Sequence, residues 1–585
     1  MQLSLLLTTL GGCAQTPTRP PLPDPGFDTW AEAFAADWVR QSAEWATSTQ
    51  YFSGEEQQAL DRQLTPRTAA QRQQNRALAV AGLAGLQGFV VRQLSPEQQT
   101  DAATLQWALQ RVLDSEPFED HWFVFNQMNG VQVNLVSFLT ETHPLRRPAD
   151  VASYLDRLAQ VAQRLDQSSA RATAAAAKGL LPPRFILERA HSQVQALLKP
   201  APAENVFVEA LARRSARIEG LASADREQAV ARATALVSDQ IQPALWRVLA
   251  LLNSLHSRTN DDAGLWRLPG GAAAYAQALA AHTTTDLAAD AIHAIGLREV
   301  ARIEAQMDRA LRALGRSEGS VQQRMHSLRV ELQPPAEPDP RPVLLQRYAA
   351  QIEDNRRRSQ ALFNLQPQAP VEVRREPALT ERTASAHYSP PAADGSRPGI
   401  FWAPLPGPIF DIPKMRTLTV HEAVPGHHFQ LALQQEQKSL PRWRQRRIFG
   451  GGSAHSEGWA LYAERLALDH AWYDGDPHAL LGALEAQLFR ARRLVVDTGL
   501  HAKRWTRQQA IDYGIAAHEV ERYVVNPGQA CAYMIGMLHI LALRDEAQAR
   551  MGTRFDLKAF HDLVLQTGSV PLAVLSQVLR RWMAA

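Results

Sequence analysis

Apolar residues recur at helical spacing over most of this chain, and one segment, residues 366–414, interrupts the pattern. From about residue 27 to 330 the sequence reads as a succession of amphipathic helices. In DVASYLDRLAQVAQRLDQSSARATAAAAKGLLPP, Leu155, Leu158, Val161 and Ala162 recur at helical spacing and Pro182-Pro183 end the run. TTTDLAADAIHAIGLREVARIEAQMDRALRAL reads as another helix, opened by Thr and Asp residues suited to capping. GLWRLPGGAAAY (264–275) is a turn-rich loop, and the Pro-rich stretch around 334–342 is a surface loop. Within the interruption, PVEVRRE alternates apolar and charged residues like a strand. The turn PPAADGSRPG then leads into Ile400-Phe401-Trp402-Ala403-Pro404, which the proline restricts to a sheet edge. Helices resume after 415 and continue to the end. The expectation is a mainly α protein, residues 27–585 forming one domain, with a small sheet around 370–405 placed just before the chemically loaded segment.

That segment is Thr417-Leu418-Thr419-Val420-His421-Glu422-Ala423-Val424-Pro425-Gly426-His427-His428. A zinc peptidase needs two neutral imidazoles, a third ligand, an open position for water, and a carboxylate beside that water as general base. The familiar solution, H-E-x-x-H, puts two histidines on one helical face. Here the i+4 position is Pro425 instead. In an ideal helix His427 lies about 240° around from His421, and His428 returns to the same face only about 10.5 Å up the axis. Pro425 has no N–H for the carbonyl of His421 and clashes with it, while Gly426 permits unusual backbone angles. A two-residue bulge at Pro425-Gly426 returns His427 to the place that i+4 would occupy. His421 and His427 are therefore the expected metal ligands, with His428 the runner-up, and Glu422 is the expected general base. The third ligand is expected to be Glu457, in HSEGWALYAERLAL (455–468), where a polar cluster opens an apolar helix. Glu464, two turns on and on the same face, is placed to brace a ligand. The blander alternatives are a solvated helix end at His421–His428 and a helix-terminal charge at Glu457.

The composition, 45% hydrophobic and 21% charged with a net charge of +3, is that of a soluble globular protein. Nothing in it forms the clustered basic stripe that a nucleic-acid partner would need. The two cysteines, Cys13 and Cys531, make neither a disulfide framework nor a thiolate zinc site. The opening MQLSLLLTTLGGCAQ is an apolar run, too short to span a membrane, ending in Leu10-Gly11-Gly12-Cys13, which resembles a bacterial lipobox. Residues 1–26 then read as a signal with a lipid on Cys13 and a Pro-rich tether, so the protein is expected to be exported, as a periplasmic or membrane-anchored lipoprotein. The missing Lys/Arg before the apolar run favours the alternative, a misplaced start and a disordered tail.

With HEAVPGHH and SEGWALYAE in hand, the chain resembles the bacterial domain-of-unknown-function family 885, which is marked by HEAxPGHH and EGWALYAE and usually described as metallopeptidases. The likeness continues through RARRLVVDTGLHAKRWT (490–506), ERYVVNPGQACAYMIG (521–536) and FHDLVLQTGSVPL (560–572), and upstream through GLWRLPGG and HYSPPAADGSRPGIF. It covers the chain from roughly residue 100 onward. The resemblance implies a gluzincin-type helical architecture, similar to carboxypeptidase Taq and angiotensin-converting enzyme, with two lobes around a deep central channel and zinc at its floor. One departure is Ala403-Pro404, where family members often carry Asn.

The function expected from these residues is a zinc metallopeptidase acting on short peptides. In it Glu422 removes a proton from water and passes it to the leaving amine. The C-terminal motifs offer Tyr533, Tyr523 and His501 as oxyanion donors, and His501 with Arg522 to hold a substrate carboxylate or the oxyanion. Ile400-Phe401-Trp402 could bind an extended peptide by strand addition. The competing expectations are a zinc hydrolase for a non-peptide amide or ester, and a non-catalytic ligand-binding lipoprotein with a metal kept for structure.

Overall fold

The structure, a computed structural model, describes residues 25–377, 381, 384–392, 395, 397–450 and 452–585. Cys13 and nearly all of the 1–26 leader lie outside the described residues; the first helix, Pro25–Arg40, begins on the last residues assigned to the tether. The protein is mainly helical, 70% of the chain, with one three-stranded sheet among the described residues.

The helical periodicity is realised with local corrections. The run from 151 to 181 forms two helices, Pro148–Leu158 and Val161–Ala177. The break falls at Gln160, whose side chain donates to the carbonyls of Arg62 and Asp156 and accepts from Leu64 N–H, tying this corner to another segment. The helix Ala289–Ala313 starts after Ala288, with no side-chain cap. Asp290 in its first turn meets the helix dipole instead, and Thr283 bonds back to Leu279 at the end of the preceding helix, Gly271–Thr283 (α1).

The sheet comprises β1 (Val371–Arg375), β2 (His387–Ser389) and β3 (Gly399–Ala403) in the order β1-β3-β2. β1 runs parallel to β3, with Val373 opposite Phe401; β2 runs antiparallel, with Tyr388 opposite Phe401. This corrects the expectation for Ile400-Phe401-Trp402. The strand is central and paired on both sides, so it has no edge to offer a peptide. Pro404 does not oppose that position, because it follows the last paired residue and withholds no ladder N–H.

Buried apolar side chains fall into three clusters. One runs from Phe123 to Met583 and takes in the helices that follow the sheet; a second draws on residues from Leu64 to Leu255; the third packs the first helix against Trp443, Ile448 and Phe449. After the sheet come α2 (Met415–Glu422), α3 (His427–Glu436), α4 (Gly452–Asp469), α5 (Pro477–His501), α6 (Ala517–Val525) and α7 (Ala532–Met551). α4 and α7 cross at a glycine pair. A Cβ on Gly458 would lie 2.5 Å from the backbone of Gly536, and one on Gly536 would lie 2.1 Å from the carbonyl oxygen of Ala454. Only hydrogens at both positions let the helices come this close.

Candidate metal centre

Pro425 breaks the helix more thoroughly than a bulge. α2 ends at Glu422 and α3 begins at His427, leaving Ala423–Gly426 as a non-helical link that includes a cis Val424-Pro425 bond. Ala423 and Val424 both donate to the carbonyl of Thr419, closing α2. The link then folds back so tightly that a Cβ on Gly426 would sit 2.0 Å from the carbonyl oxygen of His421 and 2.3 Å from that of Val420. Trp459 of α4 clamps the fold-back from outside, its indole N–H donating to the carbonyl of Pro425 at 2.9 Å. The consequence is that His427 opens a new helix beside His421. Their rings lie 4.9 Å apart at 83°.

Glu457 completes the set from α4. Its Oε2 is 3.4 Å from His427 Nε2 and 3.8 Å from His421 Nε2, and one donor atom from each of the three residues lies within 4.8 Å of the other two. It stands in the second turn of α4, which starts at Gly452, and not at the helix start. A tetrahedral zinc ion at ordinary bond lengths holds its nitrogen and oxygen ligands about 3.3 Å apart. The donor types, two imidazoles and a carboxylate, are those of a zinc site, and the two distances to Glu457, 3.4 and 3.8 Å, lie close to that spacing.

His428 points elsewhere. Its Nδ1 lies 2.8 Å from the Tyr388 hydroxyl on β2, and its ring also bonds the backbone of Ala369. Burial holds this imidazole neutral, down to about 4. His428 therefore latches the sheet to the start of α3, one residue from His427, and takes no place among the converging donors.

Glu464 fixes His421 from behind. Its Oε1 is 2.7 Å from His421 Nδ1, so Nδ1–H donates to the carboxylate and Nε2 is left to face Glu457 and His427. Thr417 donates to the other oxygen, and Arg490 of α5 stands 3.4 Å away. Burial opposes its ionisation, but Arg490 and His421 hold Glu464 below the usual carboxylate range. Burial likewise opposes charge on His421, yet Glu457 and Glu464 push it up to about 9. Glu457 is held well below its ordinary value by the two imidazoles, against its burial. Glu422, 6% exposed, moves the other way: burial raises it, only partly offset by His421 and His427.

The remaining candidates divide. Tyr533 lies on α7 one turn before Gly536, near the crossing whose other helix carries Glu457 and Gly458. Arg522 of α6 reaches it, Nη2 3.4 Å from the Tyr533 hydroxyl, and Arg493 of α5 covers its ring at 4.5 Å. Tyr523 is buried, its hydroxyl accepting from Arg493 Nε at 3.0 Å. His501 is a correction: both its nitrogens are engaged by backbone, Nδ1 accepting from Leu265 N–H and Nε2 donating to the carbonyl of Tyr523. Burial keeps it neutral, down to about 4. Its role is to join two segments of the fold, and the structure does not bring it to the donor set. Arg490, Arg493, Thr417 and Trp459 were not singled out from the sequence. The RARR run carries a usable signal, because Arg490 and Arg493 three apart share one helical face.

A family model described as a bacterial protein of unknown function (DUF885) matches residues 44–579. The chain belongs to this family. The DUF885 chain is similar in structure to a "putative lipoprotein" from Colwellia psychrerythraea, 32% identical, with a TM-score of 0.88 over 96% of this chain and 99% of that one. It also shares its fold with a "putative lipoprotein of unknown function" from Shewanella oneidensis, 20% identical, with a TM-score of 0.72 over 95% and 99% of the two chains. No curated protein matches it. No helix among its described residues is long and apolar enough to cross a membrane.

Proposed function

We propose that this DUF885 protein is a zinc-dependent peptidase cleaving short peptides, exported as a lipoprotein through Cys13. The observation that carries the reading is the convergence of His421, His427 and Glu457, with Glu422 next in sequence to the first ligand. Three protein ligands leave a fourth position for water or substrate, and that is the pattern of catalytic zinc sites; structural sites fill all four. Zinc bound there would supply Lewis acidity to the scissile carbonyl and to water.

The protein's own groups divide the remaining work. Glu422 takes the proton of the attacking water on a carboxylate oxygen and delivers it to the leaving amine nitrogen; burial, by raising its affinity for a proton, suits it to that exchange. Glu464 orients His421, and Thr417 with Arg490 orients Glu464. The Tyr533 hydroxyl donates to the developing oxyanion. In this reading the helices form two lobes around a channel that admits short peptides and excludes folded proteins. The test is zinc content together with peptide-library digestion by the native protein and by Glu422→Gln. The variant is expected to keep its zinc and to lose on the order of 100-fold or more in turnover. If it keeps both zinc and full activity, the mechanism is wrong.

A further inference from the structure

The cluster of Arg493, Arg522, Glu519, Tyr523 and Tyr533 carries more positive than negative charge. Glu519 of α6 is the single carboxylate paired with either guanidinium among the described residues: its Oε2 is 3.0 Å from Arg493 Nη2 and its Oε1 is 3.5 Å from Arg522 Nη1. All three side chains are largely buried, 6% exposed at Arg493, 9% at Glu519 and 19% at Arg522. Glu521, two residues on, is already shared by Arg189 and Arg507. Asp497, one turn along α5 from Arg493, makes no ion pair with either arginine. It accepts from Tyr275 of α1 and from Gly528 N–H, and although Arg522 acts on it at longer range, burial dominates and pushes its carboxyl up to about 7. One guanidinium charge is therefore left without a full partner in a desolvated place, where an unpaired cation is unfavourable.

The free hydrogen-bonding capacity lies at the same spot. Arg522 Nε is buried and has no partner. Its Nη2 donates to Gln529 at 2.6 Å and only weakly, at 3.4 Å, to Tyr533. Arg493 is covered by the rings of Phe489 and Tyr533, at 4.4 and 4.5 Å, and bonds Tyr523 and Glu519 through Nε and Nη2. Aromatic faces hold a guanidinium rigidly while leaving its edge able to bind a planar anion. The cluster is connected to the metal set along two paths. Arg490, which contacts Glu464, precedes Arg493 by one turn on α5. Tyr533 leaves α7 near its glycine crossing with the helix of Glu457.

We propose that Arg522 and Arg493 form the binding site for a carboxylate, namely the free C-terminal carboxylate of a peptide substrate. The inference rests on the peptidase reading for the word substrate, but the charge surplus stands without it. A carboxylate accepts two parallel N–H bonds from such a fork and neutralises the unpaired charge, so binding removes an existing deficit. Anchoring one end of the chain beside the donor set makes the protein an exopeptidase acting near the C-terminus, since an internal peptide segment brings no carboxylate to this position.

The test compares, on the full-length protein, N-acetylated tripeptides that end in a free acid, in an amide, or in an amide with an aspartate side chain supplying the only carboxylate. Binding is measured by calorimetry and cleavage by mass spectrometry. The free acid is expected to bind at least 10-fold more tightly than both amides, and Arg522→Met to bring the acid-to-amide ratio close to one, with Arg522→Lys restoring part of it. Equal binding of acid and amide by the native protein overturns the proposal, whether or not the variants fold. So does an aspartate amide that binds as well as the acid, which would assign the site to a side-chain carboxylate. Acid-selective binding without cleavage sinks the peptidase reading and leaves this site standing; cleavage without acid selectivity does the reverse.

Discussion

Replacing Gly426 by alanine tests whether the fold-back after Pro425 is what sets the ligand geometry. The added Cβ would lie 2.0 Å from the His421 carbonyl oxygen and 2.3 Å from that of Val420. The first distance is 1.0 Å inside the 3.0 Å that real Cβ contacts essentially never breach. Both opposing atoms are backbone in the last turn of α2, so no side chain can swing aside. The link must open by about 1 Å, and it carries His427 with it. Overpacking of this kind destabilises by roughly 1–3 kcal/mol, a fall of a few degrees in the melting temperature. The effect on the donor set is larger, because zinc tolerates errors of only about 0.2 Å in ligand distance. Zinc affinity, read by chelator competition, should fall more than 10-fold, well beyond what the loss of stability accounts for. Trp459→Phe removes the N–H that clamps Pro425 and leaves its carbonyl without that partner. It should shift zinc affinity in the same direction by less, with a cost of about 1–3 kcal/mol for the unsatisfied carbonyl. If Gly426→Ala melts and binds zinc as the native protein does, the fold-back does not position His427 and the reasoning fails.

The ligand choice is tested by single replacements. His427→Ala should abolish zinc binding, whereas His428→Ala should keep zinc and lower the melting temperature by freeing Tyr388 and β2; survival of zinc in the first but not the second would reverse the assignment. Acid should unfold the protein early. His143, held down to about 3, and His428, His455, His501 and His561, each held down to about 4, are buried neutral. The unfolded chain binds these protons first, so their contribution is complete above about pH 6.5 and is lost as pH falls toward 4, at roughly 1 kcal/mol per histidine per pH unit. A melting temperature that stays level from pH 6.5 to 4.5 would contradict this.

What the sequence conveyed about this site was local, and what it withheld depended on distant partners. Pro425 lacks an N–H, so a break after His421 is readable from one residue. Its extent is not: the fold-back relies on Trp459, 34 positions away, and on close contact between Gly426 and the preceding turn. The preference for His427 over His428 followed from the break expected at Pro425-Gly426, since helical angles alone place His427 on the wrong side, and the structure adds the reason His428 is unavailable, a bond to Tyr388 across to the sheet. Pro404 suggested an edge strand because a proline cannot serve a ladder on both sides. The strand ends one residue earlier, and its central place is set by pairing with β1 on one side and β2 on the other. His501 stood out through its place in the motif DTGLH; its partners, Leu265 and Tyr523, are brought to it only by the packing of the helices.

Glu422 and Glu464, both buried, and the partly exposed Glu457 place three carboxylates around two imidazoles, and among the described residues Arg490 is the arginine that ion-pairs with any of them. The protein answers the imbalance in two ways. It raises Glu422 toward its neutral form, and it holds a proton on His421 up to about 9. That proton occupies the place where, on the reading proposed above, a divalent cation binds. A cation of charge +2 together with Arg490 balances three ionised carboxylates in full, which a proton on one imidazole does not. Cation binding and proton release from His421 are therefore one event, since an imidazole must be neutral to act as a ligand. The same surplus logic, with its sign inverted, holds one turn along α5, where two arginines share Glu519. A peptide lying between the two clusters would bring its carboxylate to the arginines and its scissile carbonyl to the bound cation, so the order of the two clusters along α5 would fix the direction in which the chain is bound.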